Sequence, residues 1–181
     1  MEKIYTALGL MSGTSMDGID TSIIKSNGYD QFNSVSDKYW EFDPGLQKRL
    51  INLRNKIIDK ENFVEFSDEL KILERELTIF HSEIVNEISL NFSEDIDLVG
   101  FHGQTIFHDP ENKISKQLGD GKLLSQLTKK EVVYNFRSND LKNGGQGAPL
   151  TPLFHNLIAN SIYDEYQNFF SNILNIGGIS N

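Results

Sequence analysis

A turn of small and polar residues between two apolar segments has the composition of a phosphate-binding hairpin. Segment 4–11 is apolar, residues 12–18 form the turn, and the β-prone segment 19–24 follows. Glycine lets backbone amides approach an anion closely. Consecutive exposed N–H groups make a concave anion site, to which Thr14 and Ser15 add hydroxyl donors. Turns of Ser, Gly and Asp are also common in hairpins without a ligand, so this segment alone leaves both interpretations open.

Residues 102–105, His-Gly-Gln-Thr, form a second polar cluster directly after the short apolar segment 96–101. Ligands of open α/β sheets bind at strand ends, and these side chains offer hydrogen-bonding groups suited to sugar hydroxyls or an amide. A single histidine is more often structural, with its ring bonded to backbone, and that alternative stays open for His102. The neighbouring Gly-Gln-Thr sequence favours a functional site.

A carboxylate, Asp140, lies between a predicted strand at 131–136 and the glycine-rich segment 144–147. Such a carboxylate acts as a general base when a water or hydroxyl lies within hydrogen-bonding reach. Arg137, on the same polar segment, is able to bind a phosphate or carboxylate through two parallel hydrogen bonds. The structural alternative, in which Asp140 pairs with Arg137 or caps a turn, has the same weight on sequence alone.

The overall composition excludes several classes of protein. The chain has 181 residues, 38% of them hydrophobic and 24% charged, which is ordinary for a globular domain with a substantial core. Its net charge of −9 disfavours nucleic acid as a partner. It has no cysteine, and therefore neither disulfides nor thiolate metal sites. Because it lacks an apolar run of about 20 residues and a signal-peptide pattern, we expect a soluble cytoplasmic protein that does not enter membranes.

Hydrophobic periodicity predicts the elements that position these clusters. Asp43 and Pro44 are typical of a helix start, and apolar residues at 3.6-residue spacing from Phe66 to Ile88 predict a long helix. Five strands are predicted, at 3–11, 17–25, 35–42, 96–101 and 131–136. Further helices are predicted at 120–129, capped by Asp120, and at 149–163. The order implies an α/β fold, with a mixed five-stranded sheet flanked by helices.

The last residues predict the start of a second domain. An apolar segment at 173–176 leads into residues 177–181, Gly-Gly-Ile-Ser-Asn, which have the composition of the first half of another phosphate turn. A strand without a pairing partner leaves its backbone groups unpaired. We therefore expect a first domain at 1–170 and, at 171–181, the first strand of a truncated second domain that continues in a longer protein.

Four motifs together resemble those of one enzyme family. They occur in the family's order along the chain: GLMSGTSMDGID from Gly9, FHGQTIFHDP from Phe101, NFRSNDLKNGGQGAPLTPLFH from Asn135 and LNIGGISN from Leu174. The family that they resemble is anhydro-N-acetylmuramic acid kinase. The resemblance implies the ribonuclease-H-like fold of the actin, hexokinase and sugar-kinase ATPases, with ATP and substrate in a cleft between two similar domains.

The resemblance also implies an activity. Members of this family hydrolyse the 1,6-anhydro ring of 1,6-anhydro-N-acetylmuramic acid and phosphorylate its O6 with ATP and Mg²⁺. The product, N-acetylmuramic acid 6-phosphate, belongs to peptidoglycan recycling. The implied ligands are thus an amino sugar and ATP, and a homodimer stays open. The alternative is a non-catalytic sugar- or nucleotide-binding fragment of such a kinase, inactive alone.

The resemblance further implies roles for single residues. Asp140 matches the base that activates the water attacking the anomeric carbon. The residues that match the ATP-phosphate hairpin are Gly13, Thr14, Ser15, Met16, Asp17, Gly18, Ile19 and Asp20, and those that match the second phosphate turn are Gly177 and Gly178. The implied sugar contacts are His102, Gln104, Thr105 and Arg137. The metal ligand stays unassigned, because Met11 and Ser12 stand where many superfamily members carry an aspartate.

Overall fold

The computed structural model describes residues 3–166, so the predicted strand at 173–176, Gly177 and Gly178 lie outside the described residues. The strands are β1 (Tyr5–Ser12), β2 (Gly18–Ser26), β3 (Phe32–Glu41), β4 (Leu98–Asp109), β5 (Ile114–Leu118) and β6 (Glu131–Tyr134). The helices are α1 (Pro44–Lys56), α2 (Asn62–Glu65), α3 (Ser67–Asn91), α4 (Gly121–Thr128), α5 (Phe136–Lys142) and α6 (Pro152–Tyr166). The domain division at residue 170 stays a prediction.

The strands form one mixed sheet in the order β3-β2-β1-β4, with β5 and β6 both paired to β4. β1, β2 and β3 are antiparallel neighbours, whereas β1, β4 and β6 run parallel. The five predicted strands are confirmed as β1, β2, β3, β4 and β6. A mixed sheet of this connectivity with flanking helices is the actin-like ATPase architecture that the resemblance implies.

The core lies between the sheet and helices α1, α3 and α4. Its buried side chains include Leu8, Leu10, Ile19, Val99 and Phe101 from the sheet and Leu50, Leu53, Leu73, Leu77 and Leu124 from the helices. Burying one such side chain contributes about 1.5–3 kcal/mol. Helix α1 begins as predicted, because the Asp43 carboxylate accepts hydrogen bonds from the amides of Gly45 and Leu46 at 2.8 and 3.2 Å. The apolar helix faces predicted from the sequence are therefore the faces that pack against the sheet.

Two segments differ from the sequence prediction. β4 continues past residue 101 to Asp109, because residues 104–109 pair with the unpredicted strand β5. The sequence of β5, Ile-Ser-Lys-Gln-Leu, has no apolar alternation that would indicate a strand. The polar cluster at 102–105 therefore lies inside a strand rather than after its end. The polar segment after β6 likewise forms helix α5, preceded by Asn135 in a left-handed conformation with φ 62°.

Helix α3, with 25 residues, is longer than the other described helices. Ion pairs join it to neighbouring elements: Glu76 pairs with Arg49 of α1, and Glu74 pairs with Lys116 of β5 at 2.8 Å. Exposed ion pairs contribute only about 0–1 kcal/mol, so the apolar face of α3 supplies most of its attachment. Among residues 3–166, no helix has both the length and the apolar composition needed to span a bilayer.

Candidate functional site

The carboxyl ends of β1 and β6 lie on either side of β4, at the level of residues 101–104. Leu10 of β1 pairs with Phe101 of β4, which in turn pairs with Tyr134 of β6. Since neighbouring strands lie about 4.8 Å apart, the ends of β1 and β6 are about 10 Å apart. The hairpin 13–17 follows β1, residues 102–105 continue β4, and α5 follows β6. The structure thus brings the three predicted clusters to one edge, where open α/β sheets bind ligands.

The hairpin between β1 and β2 combines exposed polar side chains with buried apolar ones. The exposed side chains are those of Thr14, Ser15, Asp17 and Asp20. Met16 and Ile19 are fully buried, so a ligand contact from these two residues can come only from their backbone. The Met16 amide closes the turn by donating to the Gly13 carbonyl at 3.3 Å, and the buried Gly18 opens β2. Met16 therefore anchors the turn, while the Thr14 side chain is exposed and the exposed Ser15 hydroxyl donates to Asp17 Oδ1 at 2.6 Å.

An arginine that the sequence did not single out lies beside this turn. Arg54, in the last turn of α1, donates from Nη1 to the Thr14 carbonyl at 3.3 Å. Its local sequence is that of an ordinary helix surface, so the packing of α1 against the hairpin is what reveals it. Arg54 brings a positive charge to a turn that exposes two carboxylates, Asp17 and Asp20.

The predicted sugar contacts Gln104 and Thr105 are placed differently from each other. Gln104 is 0% exposed, and its amide is bonded to Ser12 and Gly13 of the hairpin. Thr105 is half-buried, and its hydroxyl accepts a long hydrogen bond of 3.4 Å from Gln117 of β5. The sugar contacts proposed for both stay predictions.

A glycine loop encloses the carboxylate of Asp140. The Gly147 amide donates to Asp140 Oδ2 at 2.8 Å, and the Gly145 amide donates to the Asp140 carbonyl at 2.9 Å. A Cβ atom at Gly145 would overlap the carboxylate itself. Any side chain at position 145 would therefore displace Asp140, which explains why the loop is glycine at this point.

Arg137 connects this loop to His102 on β4. Its Nε donates to His102 Nε2 at 2.8 Å and its Nη1 donates to the Gly147 carbonyl at 2.9 Å. The other His102 nitrogen, Nδ1, lies 2.7 Å from the Gly103 carbonyl and donates to it in the tautomer that this network requires. The direct Asp140–Arg137 ion pair considered from sequence is not formed, because each residue bonds to Gly147 instead.

Burial determines the charge of His102. Its removal from water lowers the His102 pKa from 6.5. The hydrogen bond to the Gly103 carbonyl opposes that shift, and the nearby Arg137 charge adds to it. His102 is therefore neutral near pH 7, and its Nε2 lone pair accepts from Arg137. Because both ring nitrogens are used inside the protein, a ligand would meet mainly the face and carbon edge of the ring.

Asp140 and His102 line the same cavity, of about 540 Å³. Its other lining residues are Val133, Tyr134, Phe136, Asn139, Asn143 and Leu150. The sequence did not single out Asn143, which follows α5 directly and comes one helical turn after Asn139 only because that segment is helical. The volume lies within the range of small-molecule sites. The cavity therefore has room, a carboxylate and amide groups for a sugar-sized ligand.

The hairpin and Asp140 do not line one common cavity. A neighbouring cavity of about 820 Å³ is lined by Asp20 at the end of the hairpin, and Phe136 borders both cavities. Thr14 lines neither of them, and the same holds for Thr105 and Arg137. The larger cavity lies against the sheet, with Gly9, Ser22 and Gly100 in its lining, and Phe136 is shared by the two linings.

Comparison with known proteins identifies the family of the chain. The model of the family described as anhydro-N-acetylmuramic acid kinase matches residues 5–181. The chain belongs to the anhydro-N-acetylmuramic acid kinase family. The match includes the hairpin, β4 and the Asp140 loop, so all three clusters lie in the part of the chain that is similar to these kinases.

Individual anhydro-N-acetylmuramic acid kinases are similar over the whole chain. The kinase of Pelagibacter ubique (strain HTCC1062) is 55% identical over 181 residues. Those of Agrobacterium fabrum (strain C58 / ATCC 33970) and Brucella canis (strain ATCC 23365 / NCTC 10854 / RM-666) are 38% and 35% identical over 187 residues. The alignments cover 100% of this chain but 48–49% of these relatives. The chain spans about half the length of the curated relatives it matches.

The hairpin exposes two carboxylates and two hydroxyl-bearing side chains. Within residues 3–166, no three His, Cys, Asp or Glu side chains are grouped so that they could hold a metal ion. Mg²⁺ in phosphate-transfer sites is held by one or two carboxylates, substrate phosphates and water. The exposed Asp17 and Asp20 and the hydroxyls of Thr14 and Ser15 are compatible with that arrangement. For this anhydro-N-acetylmuramic acid kinase family member, the metal ligand stays unassigned.

Proposed function

We propose that these residues supply the sugar side and one phosphate-binding hairpin of an ATP-dependent kinase. The substrate is 1,6-anhydro-N-acetylmuramic acid, and the product is N-acetylmuramic acid 6-phosphate. The observation that carries the proposal is the placement of Asp140, held by Gly147 in the cavity that His102 lines. That cavity lies at the sheet edge that also carries the hairpin. Family membership supports the kinase class, and the cytoplasmic role in peptidoglycan recycling follows from the proposed reaction.

Asp140 is the proposed general base of ring opening. One carboxylate oxygen, Oδ2, is held by the Gly147 amide, so Oδ1 is oriented for a second partner. A water bound to Oδ1 gives its proton to the carboxylate as its oxygen bonds to C1 of the sugar. The C1–O6 bond breaks in the same step, and O6 becomes the acceptor for phosphate. A positioned base of this kind accelerates reactions by about 10²–10⁴-fold.

The hairpin has the proposed task of holding the transferring phosphate. The bond from O6 to the γ-phosphorus forms as the bond from that phosphorus to the β,γ-bridging oxygen breaks. Positioning and charge neutralisation supply most of the acceleration in such transfers. Thr14 and Ser15 offer hydroxyl donors, and Arg54 adds a positive charge. Mg²⁺, when bound with the nucleotide, would supply further charge neutralisation.

Isotope labelling tests the reaction as a whole. The complete gene product that contains these residues is incubated with the anhydro sugar, ATP and Mg²⁺ in heavy-oxygen water. We expect a phosphorylated sugar with the heavy oxygen on C1 and none in the phosphate, since O6 of the sugar attacks phosphorus. A reaction without ATP is the control. Absence of a phosphorylated sugar, or heavy oxygen between sugar and phosphorus, contradicts the proposal.

A non-catalytic binding fragment is the second candidate function. It is favoured by one finding, namely that the chain spans about half the length of its curated relatives. We expect the 181-residue chain alone to bind the anhydro sugar weakly in a calorimetric titration, with and without ATP, and to transfer little phosphate. Turnover by that chain at about 1–100 s⁻¹, the range typical of kinases, would exclude the fragment interpretation.

A further inference from the structure

Two buried side chains tie the hairpin to β4. Gln104 is 0% exposed and Ser12 is 1% exposed. The Ser12 hydroxyl lies within hydrogen-bonding distance of Gln104 Oε1 and, at 3.0 Å, of the Gly18 carbonyl. Gln104 Nε2 donates to the Gly13 carbonyl at 3.0 Å. These two side chains, which we call the Ser12–Gln104 clamp, therefore contact both ends of the turn.

The backbone of β4 is shaped to bring Gln104 to this place. The β1–β4 ladder shifts its register between Leu10 and Ser12, after which Ser12 pairs with Gln104. Gly103, at this irregularity, has a φ of +69°, and a Cβ there would overlap the Leu118 carbonyl of β5. Only glycine adopts that conformation without strain. An irregularity of this kind re-aims the next side chain, and here it delivers the Gln104 amide to the turn.

The burial of Gln104 decides between a ligand contact and a positioning role. A buried amide must keep its hydrogen bonds, because an unpaired one is strongly unfavourable. If Gln104 turned toward a ligand, the Gly13 carbonyl and the Ser12 hydroxyl would each lose a buried partner. A positioning role on the hairpin keeps these bonds, whereas the sugar contact that the resemblance implies would break them.

We propose that Gln104 is a positioning residue that fixes the hairpin backbone through Ser12 and Gly13. With the turn held, its exposed residues Thr14 and Ser15 stay presented to the nucleotide phosphates. Because β4 also carries His102, the clamp links the sugar cavity to the phosphate turn through one strand. That the ligand is a nucleotide phosphate rests on the function proposed above. The effect of the Ser12–Gln104 clamp on the backbone of the turn does not depend on that function.

Nitrogen-15 relaxation of the deuterated complete gene product tests the clamp. Gln104→Met keeps the side-chain length and removes the hydrogen bonds, and Ser12→Ala removes the hydroxyl. In either variant we expect the amide order parameters of residues 13–17 to fall from about 0.85 to below about 0.6. The Kd for ATP should rise about tenfold, while the Kd for the sugar is unchanged. The double variant should lose less than the sum of the two single variants, since the Ser12–Gln104 bond is shared, whereas the bonds to the Gly18 and Gly13 carbonyls are separate.

Gln117→Met is the matched control. Gln117 lies on β5, where its amide donates to Ser115 at 2.8 Å and makes no described bond to the hairpin. In Gln117→Met, the amide order parameters of residues 13–17 should equal those of the wild type. Unchanged order parameters at residues 13–17 in Gln104→Met would overturn the proposed positioning role of Gln104. If Gln104→Met does not fold, the same result in Ser12→Ala would overturn it. A wild-type protein without kinase activity would overturn the proposed function instead, and the relaxation comparison needs no activity.

Discussion

The backbone amide of Gly147 donates to Asp140 Oδ2 at 2.8 Å, so one glycine holds the proposed base. The carbonyl of the same residue accepts from Arg137, which also bonds to His102. One peptide segment therefore orients the carboxylate and connects it to the histidine in the same cavity. The precision of the site depends on this loop as much as on the reactive group itself.

Gly147→Ala should reduce catalysis by displacing Asp140. The φ of +73° is unfavourable for alanine by about 1–2 kcal/mol, and the new Cβ would lie 3.0 Å from His108 Cε1. As the loop moves, the amide leaves Asp140 Oδ2. We expect kcat to fall by about tenfold or more while the Kd for ATP stays constant, measured by steady-state kinetics and calorimetry.

Gly144→Ala is the control for backbone strain in that experiment. Gly144 has a φ of +94°, and a Cβ there has nothing within 4 Å. It carries a similar conformational penalty without touching Asp140, so it should lower stability and leave kcat near the wild-type value. Equal losses of kcat in both variants would show that loop strain, rather than the Gly147–Asp140 bond, is responsible.

Asp140→Asn should abolish ring opening in the complete gene product. Asparagine keeps the carbonyl oxygen that accepts from Gly147 but does not take a proton from water. The expected loss in kcat is about 10²–10⁴-fold, the contribution of a general base, with ATP binding unchanged. Asp120→Asn is the matched control, since asparagine caps helix α4 as aspartate does. Wild-type turnover in Asp140→Asn would remove Asp140 from its role.

The sequence predicted elements whose signals are local. The apolar spacing from Phe66 to Ile88 and the Asp43 cap depend on neighbours within a few turns, and α1 and α3 formed as expected. The polar turn after β1 was recognised for the same reason. The three clusters could be assigned to one sheet edge only through strand order, since β1, β4 and β6 are far apart in sequence.

Features set by tertiary contacts were not predictable. β5 is a strand because it pairs with the second half of β4, and its own residues do not alternate. Arg54 reaches the turn because α1 packs beside it, and its sequence neighbourhood gives no sign of that. The hydrogen bonds of Gln104 follow from a shift in strand register, which no single-sequence pattern contains.

Arg54→Gln should weaken ATP binding. The guanidinium bonded to the Thr14 carbonyl is partly exposed, so its electrostatic contribution is about 0.2–1 kcal/mol. We expect the KM for ATP to rise by about threefold at low ionic strength, with a smaller effect at high salt because screening removes the attraction. Lys56→Gln is the control: Lys56 lies in the same helical turn but pairs with Glu69 of α3 at 2.8 Å. An equal rise in both variants would point to a general loss of positive charge.

The buried His81 should cause the free energy of unfolding to fall as the solution becomes mildly acidic. Burial lowers its pKa from 6.5 to about 4, against the opposing hydrogen bond from the ring to the Leu77 carbonyl, and the nearby His102 lowers it further. The Nε2 atom has no hydrogen-bond partner among the described residues, and the ring packs edge-on against Phe101 at 4.8 Å between centroids. Charging this ring inside the core therefore has no compensating contact.

The sign follows from which state binds the proton. Above pH 6.5 His81 is neutral in both states, and between pH 6.5 and about 4 only the unfolded chain takes up the proton. The free energy of unfolding should therefore fall as the pH drops through this window, by about 3 kcal/mol from this residue. Urea unfolding of the wild type and of His81→Gln is measured at about pH 7.5 and about pH 4.5. The difference between the two proteins gives the contribution of His81 together with its interaction with His102, because groups that do not interact with His81 cancel. The wild type should lose more stability than the variant, and parallel losses in the two proteins would mean that His81 takes up its proton equally readily in both states.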